Sequence, residues 1–127
     1  MARILVIDDE PHIVHVVALK LRNAGHDVTT AGDGAEGFEL ANAERFDVII
    51  TDIQMPYLTG IELANKLAEN ETTRAYPIIV LTARGYKLDN ESLDGTGIRA
   101  ILSKPFSPRE VLEHVEGILS EGQREAA

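Results

Sequence analysis

An α/β architecture, a doubly wound sheet of five parallel strands with five helices over its faces, follows from two patterns in this 127-residue sequence. Ile4-Leu5-Val6-Ile7, Val48-Ile49-Ile50 and Ile78-Ile79-Val80-Leu81 are short, unbroken, largely β-branched runs. Such runs belong to strands covered on both faces, not to half-exposed ones. The stretches between them have helical length and helical apolar spacing. That alternation forces right-handed crossovers, and sheets built this way bind ligands beyond the carboxyl ends of their strands.

The first strand, residues 4–7, runs into Asp8-Asp9. A helix opens at Glu10-Pro11, where proline suits a first turn, and stops at Gly25, a C-terminal cap. Ile13, Val14, Val17, Ala18 and Leu21 make its inner stripe. Val16 and Leu19 widen that stripe beyond what one sheet face requires, so they are either buried more deeply or offered to a partner. Residues 28–31 form a weaker strand and residues 35–43 the next helix. The run from Val48 leads to Asp52, and a third helix covers residues 60–69. The run from Ile78 leads to Thr82. From Gly85 to Gly97 there are three glycines and only Leu88 and Leu93 as strong apolar anchors, which predicts a short, weakly held helix. A second weaker strand, residues 98–102, leads to Lys104. Ser107-Pro108-Arg109-Glu110 opens the last helix, with Val111, Leu112, Val115, Ile118 and Leu119 inward. Residues 1–121 are expected to form one domain, and residues 122–127 a polar tail or the start of a linker.

With 44% hydrophobic and 26% charged residues, the composition is that of a soluble globular chain. No apolar stretch approaches the roughly 18–20 residues of a bilayer span, so no membrane partner is expected. A net charge of -9 without a compensating basic cluster disfavours direct nucleic-acid binding and favours cations and basic partners. Four strongly apolar residues before Asp8 are too few for a secretory signal, so the expected location is the cytoplasm. The absence of cysteine excludes disulfides and thiolate metal sites.

Asp8, Asp9, Asp52, Thr82 and Lys104 all fall at or just beyond the carboxyl ends of candidate strands. Each has a structural explanation on its own. Asp8 and Asp9 suit a helix cap, Asp52 a turn before Pro56, Thr82 a strand end, and Lys104-Pro105 a solvated turn in which proline permits a cis peptide. Their shared edge argues for a common site. Three gathered carboxylates repel one another, and a hard divalent cation with oxygen ligands, Mg2+ or Mn2+, relieves that repulsion. A carboxylate is also a nucleophile toward phosphorus; an ammonium and a hydroxyl are fitting partners for phosphoryl oxygens.

In order and combination, Ile4-Leu5-Val6-Ile7-Asp8-Asp9-Glu10, the segment from Asp47 through Asp52 to Pro56 with Gly60, Leu81-Thr82-Ala83 and Lys104-Pro105-Phe106 resemble the receiver domain of two-component response regulators. The similarity runs from about Arg3 to Ser120. It implies a flavodoxin-like strand order 2-1-3-4-5. It also implies a phosphoprotein of signal transduction, not an enzyme acting on external substrates, and partners that are a sensor histidine kinase or histidine phosphotransfer protein and a downstream effector. By the resemblance Asp52 is the phosphoacceptor, Lys104 pairs with the acyl phosphate, and Thr82 is the switch hydroxyl. Asp9, Asp52 and the Gln54 backbone carbonyl are direct Mg2+ ligands, and Asp8 acts through water.

Two features depart from that pattern. Receivers usually carry tyrosine or phenylalanine three positions before the lysine; here the residue is Ile101, whose β-branched side chain has no ring to swing behind Thr82. Gly95-Thr96-Gly97 replaces the common alanine-glycine pair. Gln54 and Arg84 flank the expected pocket and bear on the lifetime of the acyl phosphate. His12 and His15 have helical i, i+3 spacing without a third metal ligand and read as surface residues. A hydrolase with an aspartyl nucleophile is the alternative enzyme class, disfavoured because Asp8-Asp9 are adjacent and the acceptor follows the third strand. A receiver fold serving only as an interaction scaffold is the other alternative, kept open by Ile101.

Overall fold

The computed structural model describes residues 2–55, 58–82 and 95–126. Five strands, β1 (Arg3–Ile7), β2 (Asp27–Ala31), β3 (Val48–Asp52), β4 (Ile78–Thr82) and β5 (Ile98–Ser103), form one sheet in the order β2-β1-β3-β4-β5, and every pairing is parallel. The continuous apolar runs became the three central strands: every residue of β3 and β4, and all of β1 after Arg3, is buried. The weaker strands β2 and β5 lie at the edges and are only partly buried, as their mixed composition requires.

Four helices are described: α1 (Pro11–Asn23), α2 (Gly34–Ala43), α3 (Gly60–Ala68) and α4 (Pro108–Ala126). The expected helix between Gly85 and Gly97 falls outside the described residues except for residues 95–97, which are not helical. Period-two alternation sorts the strand side chains between two cores. Ile4, Val6, Val48, Ile50, Ile79 and Leu81 face α1 and α4, meeting Val17, Ala18, Leu21, Val111 and Val115. Leu5, Ile7, Ile49, Ile78 and Val80 meet Ala41, Leu63, Ala64 and Leu67 of α2 and α3, together with Phe46 and Ile53.

The helix ends obey local chemistry. Asp33 Oδ1 accepts the Glu36 N–H at 2.8 Å ahead of α2. Thr59 and Glu62 form a capping box on α3, and Ser107 with Glu110 makes the same reciprocal pair ahead of α4. The chain leaves α1 through Gly25 at φ 96°, a conformation that suits glycine. Gly60 is needed for close approach: a Cβ there would collide with the Asp52 carbonyl oxygen and Ile53 Cα, so its lack lets the loop after β3 fold back tightly against the end of that strand.

Val16 and Leu19 are 43% and 49% exposed, so the wide stripe of α1 is not explained by deeper burial. Ile13 is only partly buried, packed at the margin of the core. His12, His15 and His114 are exposed, in keeping with a surface role. Helix α4 continues through the polar residues that follow Ser120.

Candidate functional site: an acidic pocket at the carboxyl edge

Strand register builds the site. Ile7, the last residue of β1, lies opposite Thr51, so the next residues along, Asp8 and Asp52, reach the sheet edge side by side. Thr82 lies opposite Ser103, and the Thr82 carbonyl accepts the Lys104 N–H at 2.8 Å, which fixes where Lys104 leaves β5. Pro105 follows through a cis peptide, the geometry its position permits.

Asp8, Asp9 and Asp52 each present a carboxylate oxygen within 4.8 Å of the others. Asp8 and Asp52 are buried and Asp9 is exposed, so the cluster is rooted in the core and open on one side. Lys104 Nζ stands 3.4 Å from Asp52 Oδ1. Thr82, also buried, ends β4, the strand that lies between β3 and β5. Gln54 sits two residues beyond Asp52 with its side chain exposed, and Arg84 is outside the described residues. The structure thus brings together four of the predicted side chains in direct proximity and sets Thr82 in the adjoining strand end.

The electrostatics match the crowding. Burial pushes the Asp8 carboxyl up to about 6, and the Asp52 charge adds to the rise, against the pull of the Glu10 N–H that Asp8 Oδ1 accepts at 2.9 Å. Burial likewise raises Asp52 above the ordinary carboxylate range although Lys104 opposes it. For Lys104, burial disfavours the charge, but Asp52, Asp8 and Glu10 outweigh it and the ammonium is held more firmly protonated.

Asp8 Oδ2 is buried with no hydrogen-bond partner among the described residues. A buried carboxylate oxygen left in that state is costly unless something else meets it. Among the described residues, three carboxylates gather against one lysine in contact, which leaves excess negative charge on hard oxygen donors, the donor set of a divalent cation. The pocket is therefore fit to hold a metal ion.

One residue of the site was not read from the sequence. Glu10 was assigned to the start of α1, yet its side chain makes no cap bond; its Oε1 lies 3.3 Å from Lys104 Nζ. The sequence signal was present only as a third acidic residue after Asp8-Asp9.

The fold has the order 2-1-3-4-5 with an aspartate cluster, a threonine and a lysine on its carboxyl edge, and the response regulator receiver domain model matches residues 4–116. The chain belongs to that family. Over 117 residues it is 39% identical to the alkaline phosphatase synthesis transcriptional regulatory protein PhoP of Bacillus subtilis, covering 92% of this chain and 48% of PhoP. It is 33% identical over 120 residues to protein PilH of Pseudomonas aeruginosa, covering 94% of this chain and 99% of PilH. The chain thus spans about half the length of one of these relatives and nearly all of the other. Among solved structures, the response regulator TrrA of Thermotoga maritima in complex with Mg2+-BeF superposes with a TM-score of 0.82 at 30% identity, covering 93% of this chain and 99% of that one. Among the described residues no helix is long and apolar enough to cross a membrane.

Proposed function

We propose that this chain is the phosphoacceptor of a phosphorelay, with Asp52 taking a phosphoryl group from a phosphohistidine on a sensor histidine kinase or histidine phosphotransfer protein. The observation that carries this reading is the buried Asp52 carboxylate, 3.4 Å from the Lys104 ammonium and inside a cluster of three carboxylates. A carboxylate oxygen of Asp52 attacks phosphorus; the O–P bond forms as the P–N bond breaks, and the electron pair returns to the donor imidazole, which takes up a proton. Lys104 neutralises charge on the phosphoryl oxygens, and the Thr82 hydroxyl turns toward them. Attack by water on the acyl phosphate later releases inorganic phosphate and restores Asp52, so the chain resets itself without turning over an outside substrate.

Mg2+, with Mn2+ as a substitute, would be held by Asp9, Asp52 and the Gln54 carbonyl, with Asp8 acting through water; when bound it offsets carboxylate charge and polarises the phosphoryl group. The TrrA complex with Mg2+-BeF supports this choice. The phosphorylated form differs by a doubly charged group, which shifts the population of two surface states and so the contacts with an effector protein. The setting is the cytoplasm, and the domain that folds around the site spans residues 1–121.

Ile101 favours a second reading. It is 39% exposed on the edge strand β5, and no ring is present there to follow Thr82 inward. In that reading the fold is a scaffold whose contacts do not depend on phosphorylation.

Incubation with acetyl phosphate and Mg2+, followed by intact mass, tests the choice. A single phosphoryl adduct that is lost in Asp52→Asn is expected. No adduct on the unaltered chain would overturn the acceptor reading and favour the scaffold; sustained turnover of unrelated phosphoesters would favour a hydrolase.

A further inference from the structure

The Lys104 ammonium does not belong to Asp52 alone. Its Nζ lies 3.4 Å from Asp52 Oδ1 and 3.3 Å from Glu10 Oε1, so two carboxylates, one after β3 and one after β1, hold one cation. Glu10 is placed for this by its own chain: its N–H donates to Asp8 Oδ1 at 2.9 Å, anchoring the residue to the acidic cluster. Although it occupies the N-cap of α1, its side chain is not spent on the helix end. Its second oxygen is 3.9 Å from His12 Nε2, at the rim. The two anchors of Lys104 differ in kind. The Asp52 side chain is 5% exposed, whereas that of Glu10 is 48% exposed, so the Glu10 pair is the weaker and more easily broken.

We infer that Glu10 is a positioning residue that acts through Lys104: it holds the ammonium at the outer side of the pocket and competes with whatever charge develops on Asp52. This deepens the acceptor reading and rests on it. A phosphoryl group adds negative charge at Asp52, Lys104 moves wholly to it, and the Glu10 pair breaks. Glu10 therefore lowers the affinity of the pocket for a phosphoryl group and, on its release, becomes a free carboxylate at the start of α1. The same residue ties the state of Asp52 to the end of a helix whose outer face carries exposed Val16 and Leu19.

The test uses beryllofluoride with saturating Mg2+ as a phosphoryl mimic, titrated while backbone amide resonances are followed. In Glu10→Gln, which keeps the shape and removes the charge, the mimic is expected to bind about two- to five-fold more tightly, the range of a half-exposed ion pair. That gain shrinks as salt is raised. A role confined to helix stability would not produce it. In a Lys104→Met background the gain disappears, because the competition runs through the ammonium. Equal or weaker binding in Glu10→Gln would overturn the inference, and so would a gain that persists without Lys104, which would mean simple repulsion of the mimic. Absence of any response from the unaltered chain is a separate outcome: it removes the acceptor reading itself, and this inference with it.

Discussion

At the amino-terminal edge of the sheet, Arg3 reaches Glu44 and Asp27, donates from Nη1 to the Arg45 carbonyl at 2.9 Å, and lies over the Phe46 ring with its guanidinium carbon 5.1 Å from the centroid. At the carboxyl edge of the same strands, Asp8, Asp9 and Asp52 share a pocket with Lys104. Both ends collect charge, and both begin at an end of β1: Arg3 is its first residue and Asp8 follows its last. At the amino edge the charges are of opposite sign, open to solvent on one side, and paired within the chain. At the carboxyl edge like charges are pressed together under partial burial, with Asp8 Oδ2 lacking a partner among the described residues. Satisfied charge at one end does a structural task. Unsatisfied charge at the other stores free energy that a cation or phosphoryl group can release, and this imbalance marks the functional end.

The two edges should differ most at Lys104. If its ammonium stabilises charge on a transferred phosphoryl group, Lys104→Met should slow adduct formation from acetyl phosphate by about 10²-fold, the loss typical when one charge-stabilising donor is removed. Rates of intact-mass adduct formation check this, with Asp52→Asn as the zero. A change of less than a few-fold would mean that the 3.4 Å pair with Asp52 is a structural contact like those of Arg3.

A smaller effect, on stability, comes from Asp8. Its carboxyl is raised from 3.8 to about 6 on folding, so between these values the folded chain binds more protons than the unfolded one. The folded state therefore loses stability as pH rises through that window, and the penalty is fully present above about 6. In the absence of divalent cation, Asp8→Asn should remove the share of the slope that belongs to Asp8, leaving that of Asp52, and stabilise the protein at pH 7 by on the order of 2 kcal/mol. A tenfold change in proton affinity on folding corresponds to about 1.4 kcal/mol, and the open side of the pocket lets solvent screen part of the total. The amide keeps the acceptor for the Glu10 N–H and can donate its own protons to the neighbouring carboxylates. Urea melts at pH 5 and 7, with and without Mg2+, measure this. The unaltered protein should gain more from Mg2+ at pH 7 than at pH 5, and Asp8→Asn should gain less than the unaltered protein at pH 7.

The contrast between the two edges also shows what a linear sequence exposes. The central strands were legible because burial on both faces demands unbroken apolar runs; Asp8, Asp52 and Thr82 were legible because each sits at the end of such a run, and Lys104 because it follows the weaker edge strand β5. Parallel register then carried them to one place. The lone pair of Asp8 Oδ2 and the bridging of Lys104 were not legible. Glu10 and Lys104 are 94 residues apart, and at position 10 an acidic residue before proline already has a local explanation as a helix start. The fate of Val16 and Leu19 was likewise undecidable, because apolar spacing defines a stripe but not the rotation of the helix against the sheet. Phe46, buried between α2 and β3, carries no sequence signal because it is a single aromatic outside any periodic run.

The smallest expected effect lies at the amino edge, where it serves as the control for the others. The Arg3 side chain is only partly buried, and its contacts to Glu44 and Asp27 are open to water, where favourable contact energy is offset by side-chain ordering and screening. Arg3→Ala should therefore shift the urea midpoint only slightly, through lost packing on Phe46 more than through lost charge. It should leave the Mg2+ response and the rate of adduct formation unchanged. A substantial change in either would show that charge at one end of the sheet is felt at the other, through β1, whose two ends carry Arg3 and Asp8. The division between a structural edge and a chemical edge would then fail, and the acidic pocket would have to be treated as part of a field spanning the whole sheet.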